Sequence, residues 1–359
     1  MPSKENNSPN LQYGGQAVIE GVMMRSPRFF AVACRKPDGS IMVQREEVDK
    51  SILGKLKWLN VPFLRGTLAL IDAMALGSKA LAFASKVQLE ADEEAAKQAA
   101  DTGALPVSTV DQTVAPASPP VSTSSAMPKP DASSDKINDI KIGGSMVFGL
   151  VFGLVLFVLV PTLLTQFFHH KLGFAPGADY HAKQVQNITD GLIRMVIFFG
   201  YIGLISLMPQ ISRVFMYHGA EHKAINTLEA GLPLDTANSL NASRIHPRCG
   251  TSFIFIVMVI NLIVFAFLPR PENFAIRFLL HLAVIPFVAG ISYEVIKLAG
   301  QFRRFPVVMA IYAPGMWSQY LTTREPDASQ VEVALAALYS VLEAEGHLEL
   351  VRDGRKINL

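Results

Sequence analysis

The stretch Gly144–Phe168, GSMVFGLVFGLVLFVLVPTLLTQFF, decides the fold. No Asp, Glu, Lys or Arg interrupts it. A helix needs roughly 17–25 mostly apolar residues to cross the hydrocarbon core of a bilayer, and this run meets that length. Three further apolar runs follow, at about Leu192–Ile211, Ser252–Leu268 and Phe274–Leu298. Pro161 and Pro209 fall near span ends, where a missing backbone donor is tolerated. A buried soluble bundle is the competing reading, but the first run is more apolar than most soluble cores. The expected fold is mostly α, a polytopic membrane helical bundle of about four spans, with a small N-terminal α+β cytoplasmic region.

Composition agrees. Half of the 359 residues are apolar and only 17% are charged, against about a quarter in soluble proteins. The net charge of +2 gives nucleic acid no electrostatic footprint. Two distant cysteines, Cys34 and Cys249, do not make a disulfide scaffold. The polar start MPSKENNSPN lacks the apolar core of a cleaved signal peptide. Lys136, Lys141, Arg213, Lys223, Arg244, Arg248, Lys297, Arg303 and Arg304 flank one side of the spans. Lys171, Lys183 and Arg270 flank the other, with Arg194 and Arg277 near span starts. That bias favours a topology with both termini and the His-rich loop in the cytoplasm.

Four regions follow: 1–90, an α+β region with an amphipathic helix; 91–140, a linker; 141–323, the bundle; 324–359, a helix and tail. GGQAVIEGVMMRSP opens with a Gly14-Gly15 turn, and RFFAVACRKPDGSIMVQREEV reads as two strands around Pro37-Asp38-Gly39. Then Arg65, Asp72, Lys79 and Lys86 recur every seven residues, one narrow polar stripe on an otherwise apolar helix. Such a helix lies in the membrane interface or packs between the sheet and the bundle. Residues 91–140 are rich in Ala, Ser, Thr and Pro, a disordered linker by composition. FPVVMAIYAPGMWSQYL is short and broken by Pro314-Gly315, with Tyr312, Trp317 and Tyr320 suited to a membrane–water boundary. In the last segment Asp327 can cap a helix whose buried face is Val331, Leu335, Leu338 and Leu342.

The chemistry is expected in YHGAEHKA. His218 and His222 are four apart, so on a helix both rings share a face and can hold one metal ion. With Glu221 they form H-x-x-E-H, the pattern of inverted zinc peptidases, in which the Glu activates water. Those enzymes take a further Glu downstream, and Glu294 lies 72 residues after His222. RIHPRCGTSF adds His246 and Cys249 on the same side of the expected topology. Glu294 is either a ligand or the ion-pair partner of Lys297. His218 and His222 are thus the first pair of ligands, and the rest come from His246, Cys249 and Glu294. Three protein ligands would leave an open catalytic site and four a closed structural one, and the spacing does not choose. If the metal is catalytic, Glu221 is the general base. Gln16, Glu20 and Arg25 line a pocket or belong to an ordinary strand-turn unit. His169, His170, His181, His281 and His347 carry no expected role.

Five separated motifs, GGQAVIEGVMMRSP, PFLRG, YHGAEHKAI, HPRCGTSF and GISYEVIKLAG, occur in an order that resembles the bacterial membrane family catalogued as domain of unknown function 1385. The resemblance covers about Gly14–Ser85 and Asp139–Thr323, with the linker as an insertion. It implies a multi-span membrane protein that is a metal-dependent enzyme, and no substrate. The expectation is a membrane-embedded zinc hydrolase at the cytoplasmic interface, acting on a small molecule, a lipid or a peptide. The rivals are a non-catalytic scaffold with a structural metal and, with few polar residues between spans, a transporter. The expected partners are the lipid bilayer, that substrate and, left open, a second copy of the chain; nucleic acid is not expected.

Overall fold

The computed structural model describes residues 13–48, 64–102, 144, 147–171, 180–271, 273–301 and 305–348. The linker expected over 91–140 falls partly outside them. Within them, the helix α1 (Leu64–Thr102) runs on past residue 91 into that stretch. Lys136, Lys141, Arg303, Arg304 and the tail beyond residue 348 also lie outside the described residues, as do the side chains of Arg65 and Lys297.

Four strands, β1 (Gly14–Val18), β2 (Gly21–Arg25), β3 (Phe29–Arg35) and β4 (Ile41–Glu47), form one antiparallel sheet in sequence order. Gly14 and Gly15 begin β1 rather than making the expected turn; the turn is at Ile19-Glu20, where Glu20 has φ 49°. Its carboxylate is held in place by Arg213 Nε at 2.6 Å and by the Tyr217 hydroxyl at 3.1 Å. Such support sustains a left-handed residue that is not glycine. The run FFAVAC is apolar at every position because both sheet faces are covered. Leu76, Ala80, Ala84 and Val87 of α1 pack on Met23, Phe30 and Val32. On the other face Met24, Ala31 and Val43 meet α4 (Pro209–Ala230) and α10 (Ala328–Glu345). Asp327 caps α10 in a reciprocal capping box with Gln330, and Val331, Leu335, Leu338 and Leu342 are all buried.

The remaining helices are α2 (Val147–Lys171), α3 (Tyr180–Ile205), α5 (Thr236–Asn241), α6 (Gly250–Ala266), α7 (Phe274–Gln301), α8 (Pro306–Trp317) and α9 (Gln319–Thr322). Four helical segments are long and apolar enough to cross a membrane: Gly66–Ala91, Val147–Lys171, Tyr180–Ile205 and Ala275–Ile296. They are not quite the expected four. The third expected run is α6, apolar but shorter, and α1 takes its place. The polar stripe of α1 faces the sheet edge, with Asp72 at 2.6 Å from Arg25 and Lys79 at 3.8 Å from Glu46. Its first turns pack on α7, where Gly66 leaves room for Tyr293 and Thr67 donates to the Pro286 carbonyl at 3.0 Å. The helix thus packs on both the sheet and the bundle.

Prolines set two local features. A wide π-type turn at Val155–Leu159 precedes Pro161, whose ring removes a donor and crowds the preceding carbonyls. The second expected run is two helices: α3 ends at Ile205, and Pro209 starts α4 at a position where its missing N–H costs nothing.

Candidate metal centre

Helix α4 carries both histidines of YHGAEHKA, and its second half is buried under the sheet and α10. Their rings stack edge to face with centroids 4.5 Å apart. His218 Nδ1 lies 2.8 Å from the Thr322 carbonyl at the end of α9, and His222 Nδ1 lies 2.6 Å from the Arg244 carbonyl. A carbonyl oxygen can only accept, so each Nδ1 carries the hydrogen and each neutral ring presents its Nε2 lone pair. Metal-binding imidazoles are oriented by the same kind of outer hydrogen bond.

The third member is Cys249. It is the N-cap of α6, and its Sγ lies 3.2 Å from His218 Nε2 and accepts from the Thr251 N–H at 3.4 Å. Ligand atoms of His218, His222 and Cys249 all lie within 4.8 Å of one another, spacing that one ion can bridge. The glutamate of the motif is next to them, with Glu221 Oε2 3.4 Å from His222 Nε2. Glu221 is 4% exposed. Burial pushes its carboxyl above the usual range, against the pull of His218, His246 and the Gly15 N–H. The His222 lone pair thus faces the Glu221 carboxyl, and the His218 lone pair faces the Cys249 thiol, so a proton or a cation must lie in each gap. The donor set N, N, S suits zinc.

The other expected ligands are elsewhere. The His246 ring is 5.8 Å from that of His222, but both its nitrogens are engaged. Nδ1 accepts from the Arg248 N–H at 3.3 Å, and Nε2 meets Glu229 at 3.0 Å. Gln319 fixes its backbone from both sides, at 2.9 and 2.8 Å. His246 therefore supports the loop that presents Cys249. Glu294 is half-buried on α7 and is not part of the His–His–Cys cluster.

In the N-terminal motif, Gln16 packs against Gly77, Glu20 holds Arg213, and Arg25 holds Asp72. Sequence reasoning missed one contact there. Gly15 lies so close to Glu221 that an added Cβ would be 2.7 Å from Glu221 Cγ. It also missed a polar cluster between α2, α3, α6 and α7, made by Thr165, Asn187, Asp190, Arg194, Arg270 and Arg277. The signal was the spacing of Asn187, Asp190 and Arg194, which share one face of a helix.

Comparison with known proteins sets the family. The model of the family described as "Protein of unknown function (DUF1385)" matches residues 61–344, and the chain belongs to that family. The chain is 33% identical over 338 residues to "Uncharacterized protein YqhQ" of Bacillus subtilis (strain 168), covering 93% of each. No solved structure matches.

Proposed function

We propose that this member of the family is an integral membrane metalloprotein that holds a divalent ion, zinc by its donor set, on His218, His222 and Cys249, and works as a hydrolase at the cytoplasmic face. One observation carries the metal: two imidazoles whose Nδ1 atoms are tied to backbone carbonyls turn their Nε2 atoms toward one thiol. Three protein ligands are the count of an open catalytic site. An ion held there would supply Lewis acidity at neutral pH. Glu221, fixed by the Gly15 N–H and raised by burial, is placed to take a proton from an attacking water and return it to the leaving group. The substrate class stays open among small molecules, lipids and peptides.

Membrane insertion is supported by the four apolar helices and their outward faces, where Phe148, Val196, Leu204 and Leu279 are exposed. The sided charge of the flanks supports a cytoplasmic sheet and metal centre. A structural metal is the second reading, favoured by the near-complete burial of His222, Glu221 and Cys249.

Elemental analysis of protein purified without chelators decides first. About one zinc per chain is expected, falling to background in His218→Ala/His222→Ala. Metal-free wild-type protein would sink the proposal. Chelation then separates the two readings: a catalytic site keeps its fold when stripped, whereas a structural site loses it.

A further inference from the structure

We propose that the polar cluster at the far end of α6 is a binding site for a phosphate-bearing anion, with Arg270 and Arg194 as its donors and Asp190 as an internal competitor. Asn187, Asp190 and Arg194 line one face of α3. Thr165 comes from α2, Arg270 follows α6, and Arg277 sits in the first turn of α7. Thr165 is 1% exposed, Asp190 4% and Arg270 9%.

Both oxygens of Asp190 have neighbours: one meets Arg194 at 2.8 Å, and the other lies 3.2 Å from the Thr165 hydroxyl, whose single hydrogen also faces the Pro161 carbonyl at 2.8 Å. Arg270 donates at 2.8 Å to Asn187 Oδ1, a neutral acceptor. The other end of that amide is tied down, donating to the Phe265 and Leu268 carbonyls at 2.9 and 3.0 Å. Asn187 therefore holds the Arg270 guanidinium in one position, and the charge of Asp190 is shared among three guanidiniums, those of Arg194, Arg270 and Arg277. Among the described residues no carboxylate is hydrogen-bonded to Arg270, and the one in the cluster serves Arg194. A buried cation with a neutral partner is costly. A second anion removes that cost, and a guanidinium fork matches phosphate oxygens.

Phosphate is favoured by position, and here the inference rests on the membrane reading. Helix α6 rises about 25 Å between Cys249 and this cluster, close to the ~30 Å of a hydrocarbon core. The cluster then stands at the headgroup level of the face opposite the metal centre. A phospholipid headgroup and free phosphate share the chemistry.

The test uses the full chain in an uncharged detergent. Thermal unfolding is followed as phosphatidylglycerol is mixed into the micelles, with phosphatidylcholine as control. Inorganic phosphate is titrated separately against chloride at equal ionic strength. A saturable rise in midpoint with phosphatidylglycerol alone assigns the site to a lipid headgroup, and one with inorganic phosphate assigns it to the free anion. Half-saturation should weaken about tenfold in Arg270→Gln. It should tighten in Asp190→Asn, which removes the competitor and keeps its shape. No saturable rise in wild type from either phosphate probe overturns the proposal, as does unchanged half-saturation in both variants. Should Arg270→Gln fail to fold, Asp190→Asn decides: tighter binding supports the site, while unchanged or weaker binding overturns it. A chain that stays monodisperse without detergent would remove the membrane reading and leave the inorganic-phosphate arm to judge the anion site.

Discussion

Gly15→Ala should loosen the contact between β1 and α4 on which Glu221 depends. The new methyl would stand 2.6 Å from the Met23 carbonyl oxygen, 2.7 Å from Glu221 Cγ and 2.9 Å from its Oε1. Glu221 is 4% exposed and has little room to retreat, so the strand must lift. Overpacking of this kind costs about 1–3 kcal/mol. Lifting the strand also draws the Gly15 N–H away from the Glu221 carboxyl. Overpacking alone sets the expected loss at about 1–3 kcal/mol of local stability. Hydrogen exchange reads this directly, because β1 and β2 amides exchange through local opening. Their exchange should quicken by roughly 5- to 150-fold. A double-mutant cycle isolates the cause. Glu221→Ala removes two of the three close contacts, so the pair should couple by about 1 kcal/mol or more. Exchange within about twofold of wild type in Gly15→Ala, or strict additivity in the cycle, would refute the reasoning.

Two further outcomes test the frame around the site. Burial would raise the Glu345 carboxyl, but hydrogen bonds from Arg28 at 2.8 Å and Ser26 at 2.6 Å outweigh it and hold the group below its usual range. A depressed carboxyl stabilises the fold above its unfolded pKa and loses that contribution as pH falls through the folded value, so Glu345→Gln should flatten the acid side of the stability profile measured by denaturation. Leu338, fully buried between the sheet and α4, should cost about 2–5 kcal/mol when changed to Ala, read as a lower denaturation midpoint with an unchanged metal content.

The legible parts of this molecule are those set by local spacing. The pairing of His218 and His222 is legible in the sequence because residues four apart on one helix share a face whatever surrounds them. Choosing between His246 and Cys249 was out of reach, because that choice belongs to residues far away. Glu229 occupies one nitrogen of His246, and Gln319, from another helix, fixes its backbone. With His246 held, the loop brings Cys249 to the N-terminus of α6. The stripe on α1 shows the same limit. A seven-residue repeat reveals that a helix has one polar line but not what faces it. Here Arg25, 47 residues earlier in the chain, supplies the answer for Asp72.

Helix α6 is where the length rule fails for a physical reason. With 17 residues it is shorter than the four long apolar segments. Yet its ends are not left bare. At the N-terminus the Cys249 sulfur accepts from Thr251, and Ser252 donates to the Gly315 carbonyl at 3.0 Å. At the C-terminus Asn187 donates to the Phe265 and Leu268 carbonyls, the first of which also accepts from the Leu268 N–H at 3.2 Å. Its own Cys249 and Ser252 at the start, and the Asn187 side chain of α3 at the finish, therefore close the helix at both ends. On the membrane reading that allows a short apolar rod to suffice, because polar groups meet it at each boundary. Asn187→Leu is the test of that account. It keeps the bulk and removes the closure, so amides at the C-terminal end of α6 should exchange faster while those beside Cys249 do not. Equal acceleration at both ends would mean that α6 is held as one unit by its flanks and that its end groups do not matter.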